Sequence, residues 1–150
     1  MRKKDFLNNL AKIFEKKKIN EKDSLKDLEF DSLNVLDLQT FNDSNFITCF
    51  ANDYGHENWI TEAIKSKCAN GDLIILISSS GKSPNIINAA KYCNNNKIDL
   101  ITLSGFSKNN ELKSLGNINF YVNSENYNHI EMVHHIILVS MVDIIAKKKI

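Results

Sequence analysis

The sequence predicts an α/β fold, a three-layer αβα sandwich built around a parallel sheet. Residues 72 to 77 contain a continuous run of β-prone apolar side chains. Such a run is typical of a strand buried on both faces in a parallel sheet. Strand-like and helix-like segments then alternate to the end of the chain, the order in which crossover helices join parallel strands. Together, the buried run and the alternation predict the fold class.

The individual elements follow from apolar periodicity and from the residues that stop it. Turn-forming residues at 52 to 55 precede the first helix. Ser83 supplies an N-cap and Pro84 a first-turn proline for the helix after the buried strand. The predicted elements are, in chain order, a helix ending near residue 67, a strand over 72 to 77, a helix from 84 to the asparagine stop at 94 to 96, strands over 98 to 103 and 118 to 122, and a helix over 129 to about 147.

The N-terminal third carries a different pattern. Residues 5 to 18 place apolar side chains at helical spacing and predict an amphipathic helix. Residues 24 to 46 admit two interpretations, a helix after Asp31 or a short strand at 35 to 40. We therefore predict a helical segment over 1 to 41, followed by the α/β domain over 42 to 150.

The composition limits the partners, the cofactors and the cellular location that we expect. The formal net charge of +1 gives no electrostatic reason to expect a nucleic-acid partner. No long uncharged apolar run and no signal-peptide core is present, so we expect a cytoplasmic protein without a membrane partner. The three cysteines lack metal-ligand spacing, which argues against a zinc site and a disulfide framework. No cofactor or metal is expected.

The chemistry concentrates in a serine-rich turn after the buried strand. Four hydroxyls can donate to phosphate oxygens, those of Ser78, Ser79, Ser80 and Ser83. Gly81 allows a close backbone approach, and the following helix offers the positive end of its dipole. Neither the G-x-x-x-x-G-K-S/T phosphate loop nor the G-x-G-x-x-G fingerprint is present, so a compact monophosphate is the expected ligand. The alternative is a polar loop that only caps a helix.

Three segments of this region carry a resemblance to a known family. They are residues 44 to 55, residues 71 to 86 with the serine turn, and residues 101 to 105. Residues from about 42 to 146 resemble SIS (sugar isomerase) domains, most closely those of phosphoheptose isomerases, which act on sedoheptulose 7-phosphate. The resemblance implies that the four serines hold the substrate phosphate and that Asp53 lies by the sugar hydroxyls. Asp53 equally suits a turn or a helix cap.

The same resemblance sets an expectation for catalysis that the sequence meets only in part. The family's glycine-rich strand end and the early glutamate helix have no counterpart in residues 1 to 45, and the family's late histidine falls at Val139. We therefore predict a sheet incomplete at its N-terminal side, whose open edge favours a homo-oligomer. Glu131 and His134, at i and i+3 on the last helix, are the candidate proton-transfer pair. A metal site and a merely polar helix face are the other interpretations of this pair.

Two readings of function remain open besides isomerisation of a phosphorylated sugar in lipopolysaccharide or other polysaccharide biosynthesis. One is a non-catalytic phosphosugar sensor or scaffold. The other rests on residues 6 to 46, which resemble the front half of an acyl carrier protein around Asp31-Ser32-Leu33. By that resemblance Ser32 would carry 4′-phosphopantetheine in a fusion product, although an ordinary N-cap or surface serine is the favoured interpretation.

Overall fold

The computed structural model describes residues 44 to 69 and 71 to 147. The predicted helix over 5 to 18, the ambiguous stretch up to residue 43, the segment boundary at 41 and Ser32 lie outside these residues. The described elements are, in chain order, α1 (Ser44–Tyr54), α2 (Trp59–Lys67), β1 (Leu73–Ser78), α3 (Pro84–Asn95), β2 (Asp99–Ser104), a short 3₁₀ helix (Leu112–Ser114), β3 (Ile118–Tyr121) and α4 (Tyr127–Lys147). The α/β prediction is confirmed.

The three strands form one parallel sheet in the order β1-β2-β3. Ser78 pairs with Ser104, which in turn pairs with Tyr121, so all three strands end along one edge of the sheet. The central strand β2 is buried from Leu100 to Ser104, on both faces of the pleat. That pattern requires cover on both sides of the sheet, as in a layered α/β fold.

The helices before and after β1 pack against each other. Helix α2 contacts α3, α1 contacts α2, and α3 lies against β1 and β2. Ala89 and Ala90 of α3 are fully buried, and their small side chains permit the close approach of this helix. Ile64 on α2 adds to the same apolar core.

Helix α4 has two unlike sides. Ile130 and His134 are buried, and an added Cβ at Gly105 would lie 2.6 Å from Ile130 Cδ1, so this side contacts the end of β2 closely. The other side exposes apolar side chains by between 37% and 61%: Met132, Val133, Ile136, Val139 and Val142. Within the described ranges, no helix combines the length and apolarity needed to cross a membrane.

Two elements were not predicted from the sequence. Helix α1 extends through residues 52 to 54, which the sequence assigned to a turn, and it ends at Tyr54, directly before Gly55, whose φ is 84°. Gly55 therefore terminates the helix, as glycines in the left-handed conformation commonly do. The 3₁₀ helix between β2 and β3 is the second addition.

Candidate functional site

The serine turn joins the buried end of β1 to the first residue of α3. The Gly81 N–H donates to the Ser78 carbonyl at 3.0 Å and to Ser78 Oγ at 3.1 Å. Gly81 is buried with φ of 64°, a left-handed conformation that residues with a Cβ adopt at a cost. The backbone therefore folds back on Ser78 and closes the turn.

Three of the four predicted hydroxyls meet inside this turn. Ser78 Oγ lies 3.0 Å from Ser83 Oγ and 3.5 Å from Ser80 Oγ. Ser83 occupies the N-cap of α3, as the sequence predicts, but its side chain makes no capping hydrogen bond. Its hydroxyl is instead within hydrogen-bond distance of Ser78, so it remains on the side of the turn where the other serines lie. Hydroxyls can rotate to donate or accept, so such a cluster can reorient toward an anion.

Lys82 contributes differently from the serines. Its backbone N–H donates to Ser80 Oγ at 3.3 Å, whereas its side chain is exposed. The close contacts within the turn therefore come from hydroxyl and amide groups, and the lysine charge stands outside them. An uncharged set of donors next to a helix N-terminus is suited to a small anion.

The last helix reaches the serine turn through Glu131. Ser79 Oγ donates to Glu131 Oε1 at 3.5 Å, across 52 positions of sequence. The contact is long and Glu131 is exposed, so the carboxylate remains accessible. This contact brings one member of the predicted proton-transfer pair next to the predicted phosphate site.

His134, the other member, is 2% exposed and lies against the end of β2. Its Nε2 is 3.3 Å from the Ser104 carbonyl oxygen. Burial lowers the pKa of His134 below its ordinary value, against the smaller opposing effects of the Ser104 hydrogen bond and the Glu131 charge. The imidazole is therefore neutral at pH 7.

Two buried polar atoms near the end of β2 have no hydrogen-bond partner among the described residues. They are His134 Nδ1 and Ser104 Oγ. An unsatisfied buried polar group costs about 1–3 kcal/mol, and such groups in folded proteins call for an explanation. Sequence reasoning did not single out Ser104, because only the fold places it against a helix residue 30 positions away. The Ser104-Gly105 pair at a strand end was its only local signal.

The remaining predicted site residues stand apart from these contacts. Asp53 is exposed in the last turn of α1, where its carboxylate accepts hydrogen bonds from Asn52 Nδ2 at 3.2 Å and from Cys49 Sγ at 3.8 Å. Both partners belong to its own helix, and its predicted place beside a sugar stays a prediction. Across residues 44 to 69 and 71 to 147, no group of three or more His, Cys, Asp or Glu side chains could hold a metal ion.

Known proteins share both the sequence pattern and the fold. Residues 48 to 142 match the family model of the SIS domain. Phosphoheptose isomerase 2 of Campylobacter jejuni is 36% identical over 78 residues, which are 52% of this chain and 39% of that protein. Phosphoheptose isomerase of Colwellia psychrerythraea is 32% identical over 105 residues, 69% of this chain and 54% of that protein.

The solved structures give the same result for the fold. The phosphoheptose isomerase of Neisseria gonorrhoeae superposes with a TM-score of 0.63 at 24% identity, covering 69% of this chain and 58% of that one. The Francisella tularensis enzyme gives a TM-score of 0.62 at 27% identity, covering 69% and 55%. The chain spans about half the length of the curated relatives it matches. The serine turn lies inside the matched residues, and the chain belongs to the SIS domain family.

Proposed function

We propose that the chain binds a phosphorylated sugar at the serine turn and takes part in aldose–ketose isomerisation of the phosphoheptose isomerase type. The observation that carries the proposal is the Ser83 hydroxyl, which makes no bond to its own helix and lies 3.0 Å from Ser78 Oγ. A serine that only capped the helix would hydrogen-bond its backbone N–H groups. This cluster instead leaves hydroxyls that can turn toward a ligand.

Phosphate suits the turn for electrostatic and geometric reasons. The positive end of the α3 dipole lies at the turn, and backbone N–H groups there attract an anion. The hydroxyls supply short, directional donors, and the exposed Lys82 adds a positive charge next to the serine turn. Curated relatives named phosphoheptose isomerases make sedoheptulose 7-phosphate the first sugar to test.

Isomerisation requires a proton to move between adjacent carbons and another between their oxygens. Glu131, exposed and near Ser79, is the proposed base toward the carbon acid. His134, neutral at pH 7 and with an unpartnered Nδ1, is the proposed group that passes protons between oxygens. A neutral imidazole can both donate and accept a proton, which this role demands.

One observation favours the second candidate function, a sensor or scaffold that binds the sugar without converting it. The His134 ring is almost completely covered, and its Nε2 lies against a backbone carbonyl. A proton shuttle must reach its substrate, and a ring held in this way does so only if α4 or the loop after β2 moves. Binding and turnover must therefore be measured separately.

The proposed partner besides the sugar is a second copy of the chain. The exposed apolar side of α4 and the half-exposed Ile77 on β1 are surfaces that association would cover. The proposed location is the cytoplasm, where phosphorylated sugars are made and used. The acyl-carrier reading makes a separate prediction, a pantetheine mass increment on Ser32 after incubation with a phosphopantetheinyl transferase.

One titration with sedoheptulose 7-phosphate tests the main proposal. Binding heat and product formation are recorded in the same samples, with unphosphorylated sedoheptulose as the control ligand. Heat together with product supports the isomerase, and heat alone supports the sensor or scaffold. If neither this compound nor other phosphorylated sugars bind, both functions are ruled out.

A further inference from the structure

Asn110 is a buried polar side chain in the loop after β2 that the proposed chemistry does not use. It is 3% exposed. Its Nδ2 donates to the Gly105 carbonyl at 3.2 Å and to the Ser107 carbonyl at 2.8 Å, and its Oδ1 accepts from the Lys113 N–H at 3.0 Å. A single amide thus satisfies three backbone groups and closes the loop over 105 to 113. A buried side chain with every polar atom bonded is rigid, because each alternative rotamer leaves several groups unpaired.

The same side chain packs directly against the serine turn. A Cβ placed at Gly81 would collide with Oδ1, Cγ and Cβ of Asn110. Asn110 therefore occupies the space that a side chain at position 81 would need. The left-handed φ of Gly81 and this contact act together, so the turn has glycine at 81 for two independent reasons.

A backbone hydrogen bond joins the two loops at the same point. The Leu112 N–H donates to the Gly81 carbonyl at 3.1 Å, while the Gly81 N–H donates to Ser78. Both polar groups of the Gly81 backbone are thereby used, one within the serine turn and one toward the loop that Asn110 closes. The turn and the loop are thus hydrogen-bonded to each other, although they are about 30 residues apart in sequence.

We propose that Asn110 is a positioning residue, which holds the serine turn in its anion-binding conformation and so sets the affinity of the site for phosphate. The inference rests on the proposed function for the identity of the ligand. Asn110 itself touches Gly81 and the backbone of its own loop, so it acts through the turn. Its loss releases Gly81 and lets the hydroxyls of Ser78 and Ser83 separate.

Asn117 provides a matched control at the opposite end of the same strand. Its Oδ1 accepts from the Leu100 N–H at 2.7 Å, near the start of β2. Asn110 and Asn117 therefore each hold one end of β2 through a side-chain amide. Replacing either residue with alanine removes hydrogen bonds between its side-chain amide and the backbone, but only Asn110 contacts the serine turn.

The test uses the full chain and its Asn110→Ala and Asn117→Ala variants. Inorganic phosphate and sedoheptulose 7-phosphate are titrated separately, with binding followed by amide chemical shifts. Hydrogen exchange of the Gly81 and Leu112 amides is measured without ligand. We expect Asn110→Ala to raise both dissociation constants by about tenfold, as for the loss of a buried hydrogen-bonding group, and to accelerate exchange at Gly81. Asn117→Ala is expected to lower the melting temperature and leave both readouts unchanged.

If Asn110→Ala does not fold, Asn110→Asp preserves the side-chain volume and the acceptor for Lys113 while removing both donors. Gly81 exchange without ligand is then the deciding readout, since it is free of charge repulsion with phosphate. Wild-type exchange and affinity in a folded Asn110 variant would overturn the inference, as would an equal change in Asn117→Ala. A wild-type chain that binds neither phosphate compound overturns the proposed function, and Gly81 exchange still decides whether Asn110 holds the turn.

Discussion

At the scale of single residues, Ser83 occupies a helix-capping position with a hydroxyl that does not cap the helix. An N-cap hydroxyl bonded to its helix typically contributes about 1 kcal/mol of stability. Ser83 stands at the N-cap of α3 and makes no such bond. Its hydroxyl lies instead beside Ser78 Oγ. Ser83 therefore does not contribute the stability of a capping bond. Residues that bind a ligand often sacrifice stability in this way.

This arrangement separates affinity from stability. Ser83→Ala and Ser80→Ala should each weaken phosphosugar binding by about 1–3 kcal/mol, the cost of a lost hydrogen bond to a charged group. Because no capping bond is lost, Ser83→Ala should lower the free energy of unfolding only by the hydrogen bond to Ser78, about 0.5–1.5 kcal/mol. Calorimetric titration and urea unfolding measure the two quantities.

Ser114→Ala is the control for the serine substitutions. Ser114 is exposed, and its hydroxyl donates to the Glu111 carbonyl, outside the serine turn. Affinity should be unchanged in this variant. If affinity is also unchanged in Ser80→Ala and Ser83→Ala, the serine turn is not the phosphate site.

His134 makes folding sensitive to pH. Burial lowers the pKa of His134 in the folded chain, so the unfolded chain takes up the proton first as the pH falls. The free energy of unfolding that comes from keeping His134 neutral is fully present above the pKa of histidine in the unfolded chain, about 6.5. It declines below that pH, until the pH passes the pKa of His134 in the folded chain. His134→Gln should remove this part of the decline. Urea unfolding at pH 8 and at pH 5.5 measures it.

The exposed neighbour His135 supplies the comparison for His134. His135→Gln leaves the buried His134 imidazole in place, so it should retain the pH dependence that His134 confers. An identical loss of stability between pH 8 and 5.5 in the wild-type chain and in His134→Gln would contradict the assignment.

At the scale of elements, the helices and strands that carry local sequence signals could be predicted. The apolar run before Ser78 gave β1, and the Ser83-Pro84 pair placed the start of α3 at the observed residue. Helix α1 had no such signal, because Phe46, Ile47 and Thr48 are aromatic or β-branched and favour strands. The helix contacts α2, although none of its own residues is buried.

The same distinction between local and long-range signals applies to the candidate site. The serine turn could be predicted because its hydroxyls and its glycine are contiguous and follow a strand. The contact of Ser104 with His134 and that of Asn110 with Gly81 each join residues about 30 positions apart. No periodicity or spacing encodes such pairs, which form only when the loop after β2 lies beside the serine turn and α4 packs on the end of β2. The hydroxyl-rich turn could therefore be predicted from the sequence, whereas the contacts that surround it could not.

The contact between α4 and the end of β2 can be tested by a double-mutant cycle. Gly105→Ala places a methyl group 2.6 Å from Ile130 Cδ1, in a fully buried setting. Overpacking of this kind costs about 1–3 kcal/mol of unfolding free energy. Ile130→Ala alone costs about 2–5 kcal/mol through the cavity it leaves.

The double variant should lose less stability than the two single variants together, since the new methyl group enters the vacated space. Urea unfolding of the four proteins measures the coupling free energy. Strictly additive losses would show that Ile130 does not pack against Gly105.

At the scale of the whole molecule, several large apolar side chains are exposed among the described residues. The exposed side of α4 carries Met132, Ile136 and Val139 in one stripe. On the sheet, β1 pairs with β2 along one edge, and Ile77 is 39% exposed. Contiguous apolar surface on a folded protein usually marks an interface. Association of two copies through α4 would remove this surface from water.

Charge placed in the stripe should prevent that association. Ile136→Lys combined with Val139→Lys puts two ammonium groups where apolar contacts are proposed, and burying unpaired charges is strongly unfavourable. We expect an oligomer in the wild-type chain and a folded monomer in the double variant, measured by sedimentation velocity over a range of concentrations. Asn95→Lys, at the exposed end of α3, adds charge elsewhere and should leave the oligomer intact. A monomeric wild-type chain, or a double variant of unchanged mass, would contradict the interface.

The monomeric variant also separates the two parts of the proposed site. The hydroxyls of Ser78, Ser80 and Ser83 and the Gly81 backbone that closes the turn come from one chain. Affinity for inorganic phosphate should therefore persist in the monomer, within about twofold of the wild-type value. If a partner chain completes the catalytic groups, turnover of sedoheptulose 7-phosphate should fall with the loss of the oligomer while phosphate affinity stays constant. Loss of both together would instead place part of the phosphate site on the partner.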